Sequence, residues 1–191
     1  MRIGILGGTF NPIHFGHLNL ADESRRVLKL DKVIFVPAKT PPHKKNIIVA
    51  AKHRFKMVEL AIKNIKWCEI SAVELERRGK SYSVETIKIF RQIYSKEKLY
   101  FITGADSIKE LNTWKEISKI FKLCKFVVAT RPGFIIKNIP KYIKVIKIKP
   151  LDIAAKDIRK LLRQKKSVSN YVPENVRRYI TMKQLYRNNR V

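Results

Sequence analysis

The chain has 191 residues, of which 45% are apolar, so it is long enough for one domain with a buried core. We expect a single domain over residues 1–191, because Ile, Leu, Val and Phe occur throughout and argue against intrinsic disorder. Lys and Arg number 42 against 15 Asp and Glu, and the resulting net charge of +27 attracts anions such as nucleotides, nucleic acids or acidic membranes.

We expect neither a membrane span nor a signal peptide, because the apolar runs are too short for either. Two cysteines, Cys68 and Cys124, exclude a disulfide-built scaffold and are interpreted as small buried apolar residues. This cysteine usage is typical of a reducing compartment, so a cytoplasmic location is expected. The lysines are scattered from Lys29 to Lys183 and form no basic tail, which argues against nucleic-acid and membrane partners.

Predicted strands and helices alternate along the chain. Apolar runs predict strands over residues 2–6, 32–36, 68–75, 98–103, 125–130 and 143–148. Helical spacing of apolar residues predicts helices over residues 15–30, 50–65, 83–94, 106–111, 115–123, 153–162 and 174–180. Ser83 is the predicted N-cap of the third helix, and Pro173 is predicted in the first turn of the last.

Several of the strands are apolar without alternation, which is typical of a parallel sheet covered by helices on both faces. The sequence therefore predicts a doubly wound, Rossmann-like α/β fold. Ligands bind such sheets at the carboxyl ends of the strands. A site is expected in the loops over residues 7–17, 37–45, 104–114 and 130–133.

The most unusual of these loops reads GGTFNPIHFGH over residues 7–17. Gly7 and Gly8 let the backbone approach a ligand closely, and we expect them to take positive φ. His14 and His17 are three residues apart at a predicted helix start, so their rings can lie on one face. The helix N–H groups beside them favour phosphate. Without a third ligand nearby, a protein-held metal ion is not expected.

This segment resembles the signature of the H-x-G-H nucleotidyltransferase superfamily. Later motifs make nearly the whole chain similar to the bacterial nicotinate-nucleotide adenylyltransferases: Pro41-Pro42-His43-Lys44, Ser81-Tyr82-Ser83, Gly104-Ala105-Asp106-Ser107, Trp114, Arg131-Pro132-Gly133, Asp157-Ile158-Arg159 and Tyr171-Val172-Pro173. The resemblance implies transfer of the adenylyl group of ATP to nicotinate mononucleotide, a step of NAD synthesis, with Mg²⁺ carried by ATP. The alternatives are a sister adenylyltransferase for nicotinamide mononucleotide or phosphopantetheine, or a basic nucleic-acid-binding protein on the same fold. Whether the chain forms a homo-oligomer is left open.

The resemblance also implies roles for individual residues. His14, His17 and Arg159 are expected to contact the ATP phosphates and to act in catalysis. The remaining ATP-binding residues are expected to be Gly7, Gly8, Thr9, Phe10, Lys44, Lys156 and Ile158. The mononucleotide is expected to contact Thr9, Ser83, Thr86, Asp106, Trp114 and Arg131, with Trp114 under the pyridine ring.

Two departures from the family pattern stand out. Asn11 occupies a position that is often Asp, which keeps hydrogen bonding but removes a charge. Ala154 and Lys156 stand where hydroxyl residues are usual, before the arginine of the late motif. We expect the free N–H groups of the helix start to hold the triphosphate there, with Lys156 adding a point charge.

Overall fold

The computed structural model describes residues 1–42, 49–130, 140–149 and 151–187, apart from the side chains of Asp106 and Lys109. Its strands are β1 (Arg2–Gly8), β2 (Lys32–Pro37), β3 (Cys68–Ile70), β4 (Lys98–Gly104), β5 (Lys125–Thr130) and β6 (Ile143–Lys147). Its α-helices are α1 (Phe15–Leu28), α2 (Ala51–Ile62), α3 (Val73–Glu76), α4 (Ser83–Ile93), α5 (Ile117–Leu123), α6 (Ala155–Arg163) and α7 (Glu174–Met182). A 3₁₀ helix covers Ala105–Thr113.

The strands form one sheet in the order β3-β2-β1-β4-β5-β6, and every neighbouring pair is parallel. The chain runs outward from β1 to β3, returns to β4 on the other side of β1, and then runs outward to β6. The strand order therefore reverses between β1 and β4, where Leu6 pairs with Ile102. This topology confirms the predicted doubly wound, Rossmann-like fold.

Helices cover both faces of the sheet. Successive residues of a strand point to opposite faces, so each strand contributes to the core on both sides. In β2, Val33 and Phe35 belong to the core on the side of α1, α2, α6 and α7. Ile34 and Val36 belong to the core on the side of α4 and α5. Both faces of the sheet are thus buried, which explains why the strands read as continuous apolar runs.

The structure corrects several local predictions. The strand predicted over residues 68–75 ends at Ile70, and α3 follows it. The Ser71 hydroxyl accepts a hydrogen bond from the Val73 N–H (3.4 Å), which helps to start the turn. Ser83 is the first helical residue and not the N-cap of α4; Tyr82 holds that position, and no side chain caps the helix.

Neither cysteine is placed for chemistry. Cys124 is buried and Cys68 is half-buried, and both are free thiols. Burial raises the pKa of each thiol to about 12, so both stay protonated at neutral pH. In the described ranges, no helix has the length and apolar content needed to cross a bilayer.

Candidate active site

A cavity of about 710 Å³ opens where the strand order reverses. Gly7 and Gly8 line it at the end of β1, and Thr103 and Gly104 line it at the end of β4. Doubly wound sheets bind ligands at this point. The volume lies within the range of small-molecule and cofactor sites.

Three helices begin at this cavity. The first residues of α1, α4 and α6 contribute to its wall: His14, Gly16 and His17, then Ser83 and Thr86, then Ala154 and Ala155. No side chain caps the N-terminus of α4 or α6. A helix N-terminus carries unpaired N–H groups and a partial positive charge. Three of them on one cavity make it suited to a ligand with several anionic groups.

The two signature histidines are in direct contact. Their ring centroids are 3.8 Å apart, which confirms that the rings share one face. The backbone N–H of His14 donates to Nδ1 of His17 (3.3 Å), so a neutral His17 ring carries its proton on Nε2. Phe10 contacts the same ring edge-on, with centroids 5.0 Å apart.

His14 is the more buried of the pair, with 6% of its surface exposed. Burial lowers the pKa of His14 from 6.5 to about 4, because removal from water disfavours the imidazolium. The ring is therefore neutral at pH 7 in the unliganded protein. It acts there as a hydrogen-bonding group and not as a cation.

The signature loop is packed more tightly than the sequence indicates. The expected positive φ does not occur at Gly7 or Gly8, because β1 continues through both; Phe10 takes it instead, at 46°. A Cβ on Gly8 would lie 2.8 Å from the Phe10 ring, and a Cβ on Gly16 would lie 2.9 Å from Nδ1 of His14. Glycine is thus needed at 8 and 16 to make room for aromatic rings.

Arg159 and Tyr186 hold this loop from the carboxyl-terminal part of the chain. The Arg159 guanidinium donates to the backbone carbonyl of Asn11 (2.7 Å) and also lines the cavity. The buried Tyr186 hydroxyl donates to Oδ1 of Asn11 (2.8 Å). The amide at position 11 thus accepts the hydrogen bond that a carboxylate would accept, without adding a negative charge to the cavity wall.

A second group of wall residues includes Trp114 and its neighbours. Trp114 packs edge-on against Phe101 and Phe126, with centroids 5.9 and 5.8 Å away. The neighbouring Lys115 places its ammonium 4.9 Å from the centroid of the Tyr82 ring. The cavity wall therefore holds an indole ring and a cation close to the N-terminus of α4.

Comparisons with known proteins agree with this geometry. A family model described as "Cytidylyltransferase-like" matches residues 5–189. A relative from Thermoanaerobacter sp. named "Probable nicotinate-nucleotide adenylyltransferase" is 42% identical, and the alignment covers 98% of this chain and 95% of the relative. The chain belongs to the nicotinate-nucleotide adenylyltransferase family.

A relative of the same name from Moorella thermoacetica is also 42% identical, over 97% of this chain and 92% of its own. A solved structure of Plasmodium falciparum nicotinic acid mononucleotide adenylyltransferase, complexed with NaAD, matches with a TM-score of 0.79. It is 23% identical and 97% of each chain is covered, so the adenylyltransferase fold is shared over almost the full length.

Not every residue predicted from the family pattern is placed in the cavity wall. The wall includes Gly7, Gly8, Thr9, Phe10, His14, His17, Ser83, Thr86, Trp114 and Arg159. Lys156 is exposed outside the wall, and Ile158 is fully buried in the core, so only its backbone is left for ATP. Lys44, Arg131 and the side chain of Asp106 lie outside the described parts of the chain. The binding roles of all these residues stay predictions.

Sequence reasoning missed several wall and support residues, among them Glu74, Lys115 and Tyr186. Glu74 lies in the wall and accepts a hydrogen bond from the Thr86 hydroxyl (2.6 Å), but it was hidden inside a wrongly predicted strand. Lys115 directly follows Trp114, and that adjacency is a signal that could have found it. Tyr186 lies beyond the last predicted helix and has no local signal.

The burial of His14 predicts a pH-dependent stability. Above pH 6.5 the ring is neutral in both the folded and the unfolded chain, and its contribution to stability is complete. As the pH falls from 6.5 towards 4, only the unfolded chain takes up the proton, so the free energy of unfolding falls. The shift of 6.5 to about 4 corresponds to a loss of up to about 3 kcal/mol.

Denaturant unfolding at neutral and at acidic pH measures this loss. His14→Gln removes the titrating ring, and its free energy of unfolding should decline less than that of the wild type over the same interval. An identical decline in both proteins would contradict the assignment.

Proposed function

We propose that this protein transfers the adenylyl group of ATP to nicotinate mononucleotide and forms nicotinate adenine dinucleotide and pyrophosphate in NAD synthesis. The observation that carries the proposal is the convergence of three helix N-termini and the His14–His17 pair on one cavity, in a chain 42% identical to relatives of that name. Two nucleotides bring several phosphate charges to one place, and this cavity supplies donors and positive potential for them.

The reaction needs no activated side chain as nucleophile. An oxygen of the mononucleotide 5′-phosphate, already an anion, attacks the α-phosphorus of ATP. The bond from that phosphorus to the bridging oxygen of the β-phosphate breaks, and pyrophosphate leaves with the electron pair. The protein's contribution is to align two anions that repel each other and to stabilise the transferring group.

The wall residues divide this work. The neutral His14 and the Nε2–H of His17 donate hydrogen bonds to phosphate oxygens, and the helix α1 N-terminus adds its partial charge. The planar fork of Arg159 binds phosphate oxygens at the start of α6. Trp114 and the N-terminus of α4 receive the pyridine ring and its carboxylate.

Mg²⁺ enters as part of the substrate, bound to the triphosphate of ATP. Within the described residues, no group of three His, Cys, Asp or Glu side chains converges on a point. Glu74, a carboxylate in the wall, is hydrogen-bonded to Thr86. Mg²⁺ usually keeps several waters and binds substrate phosphates with only one or two protein carboxylates, so the ion would rely mainly on the phosphate oxygens of ATP. We place the enzyme in the cytoplasm, where the thiols of Cys68 and Cys124 stay reduced.

A pyrophosphate-release assay with ATP and magnesium tests the proposal. Nicotinate mononucleotide, nicotinamide mononucleotide and phosphopantetheine are compared as acceptors at equal concentration. The highest kcat/KM is expected for nicotinate mononucleotide. A higher or equal value for another acceptor would reject the nicotinate assignment, and absence of pyrophosphate with all three would reject adenylyl transfer.

Replacing Trp114 with alanine is expected to raise the KM for nicotinate mononucleotide about tenfold, because stacking of an aromatic base on such a ring contributes ~1–3 kcal/mol. The KM for ATP should change little. Phe121→Ala is the matched control, because Phe121 also packs edge-on against Phe126 (5.4 Å) but lies outside the cavity wall. If both variants raise the KM equally, core packing and not ring stacking is responsible.

A further inference from the structure

Arg54 is a buried cation that the mechanism above does not use. Its side chain, on α2, is 1% exposed. Its three nitrogen atoms donate to backbone carbonyls: Nε to Val49 (3.0 Å), Nη1 to Thr9 (2.7 Å) and Nη2 to Lys39 (3.1 Å). Taking a charge out of water costs several kcal/mol, so a buried arginine at this position calls for an explanation.

The three carbonyls belong to three different segments. Thr9 lies in the signature loop between β1 and α1, in the cavity wall. Lys39 follows β2 and leads into Pro41 and Pro42, which also line the cavity. Val49 lies just before α2. Arg54 itself is not a wall residue, so it acts on the cavity through the two loops that it joins.

The contact with Thr9 also fixes the direction of one peptide unit. The bond between Thr9 and Phe10 is trans, so the carbonyl of Thr9 and the N–H of Phe10 point in opposite directions. Arg54 draws the carbonyl towards α2, behind the loop. The Phe10 N–H is thereby turned away from Arg54, and both Thr9 and Phe10 line the cavity. An N–H in this orientation binds a phosphate oxygen, whereas a carbonyl would repel it.

The charge of Arg54 acts in the same direction. Burial lowers the pKa of the guanidinium, but arginine keeps its proton in folded proteins. The positive charge therefore stays behind the loop; its hydrogen-bond partners are backbone carbonyls, and Glu74 in the cavity wall also interacts with it electrostatically. A charge held at a fixed place in a poorly solvated region stabilises a nearby anion more than a charge in water does.

We propose that Arg54 is a positioning residue for phosphate binding and transfer: it holds the Thr9–Phe10 peptide with its N–H towards the phosphates and places a fixed positive charge behind them. The proposal rests on the proposed adenylyl transfer. It assigns to Arg54 an effect on turnover that a purely structural arginine would not have.

The test compares Arg54→Met with Arg91→Met, each assayed well below its own melting temperature. Arg91 is the matched control, because it is a half-buried arginine that also donates to backbone carbonyls, including that of Leu123 (2.9 Å), outside the cavity wall. Arg54→Met is expected to lower kcat at least about tenfold, since displacement of reacting groups by an ångström can cost that much and more. Arg91→Met should lower the melting temperature and keep kcat.

Chemical rescue separates the effect of the Arg54 charge and shape on turnover from its effect on folding. In Arg54→Ala, added guanidinium should restore part of kcat, whereas urea, a neutral molecule of similar shape, should not. An unchanged kcat in Arg54→Met would overturn the proposal. If Arg54→Met does not fold, Arg54→Gln decides, because it removes the charge and keeps a polar side chain; a wild-type kcat there overturns the proposal.

Equilibrium binding of ATP keeps this test independent of the proposed function. If the wild type turned over none of the acceptors, adenylyl transfer would fail while ATP affinity could still be compared. Weaker ATP binding in Arg54→Met than in Arg91→Met would then support the positioning role, and equal binding would overturn it.

Discussion

Replacing His14 with alanine is expected to lower kcat by roughly 100- to 1000-fold while the protein stays folded. Removal of one preorganised donor from the place where charge develops has an effect of this size in other enzymes. His14 is fixed by its contact with the His17 ring, 3.8 Å between centroids, and by its place at the start of α1. Alanine would remove the donor and leave the helix N-terminus in place.

His53→Ala is the matched control for this variant. His53 lies on α2, where its Nδ1 is 2.8 Å from the Tyr179 hydroxyl, and it is not in the cavity wall. Its loss should leave kcat within about twofold of the wild type. A His14→Ala protein with wild-type kcat would remove this residue from the mechanism.

The protonation state of His14 can be tested with a further variant. Burial lowers the pKa of His14 to about 4, so the ring is a neutral imidazole at pH 7 before the phosphates arrive. His14→Gln supplies a neutral N–H donor and should therefore recover part of the activity that alanine loses. A variant that recovers none would show that an imidazole, and not simply a neutral donor, is needed.

The architecture was predictable because its signals are local. Unalternating apolar runs such as Ile3–Leu6 indicate strands buried on both faces, and the alternation with helices then indicates a parallel sheet. The location of the signature loop at the carboxyl end of β1 follows from the same rule. The ends of the elements were less predictable. Residues 68–75 alternate like a strand, but a helix begins at Val73, and its Glu74 accepts a hydrogen bond from the distant Thr86.

The support of the site was not predictable, since it depends on contacts between distant parts of the chain. Arg54 reaches Thr9 across 45 residues, and Tyr186 reaches Asn11 across 175. On α2, Arg54 is buried together with Met57, Val58 and Ile62. Arg54 lies three and four residues before Met57 and Val58, so helical spacing places it on the same buried face; this spacing was the available signal.

Replacing Arg159 with alanine is expected to lower kcat/KM for ATP by about 100-fold. The guanidinium lines the cavity at the start of α6 and donates to the Asn11 carbonyl (2.7 Å), so alanine would remove both a phosphate clamp and a support of the signature loop. Loss of a charge-assisted contact in a shielded site corresponds to ~2–3 kcal/mol, or roughly 30- to 150-fold.

Two further variants separate the roles of Arg159. Arg163→Ala replaces an exposed arginine at the end of the same helix and outside the cavity wall, removes an equal charge and should leave kcat/KM within about twofold. Arg159→Lys keeps the charge but not the planar fork, so it should recover only a small part of the loss if the clamp is bidentate. Full recovery by lysine would mean that charge alone is required, and equal losses in the two alanine variants would mean that Arg159 acts only through the overall field of the protein.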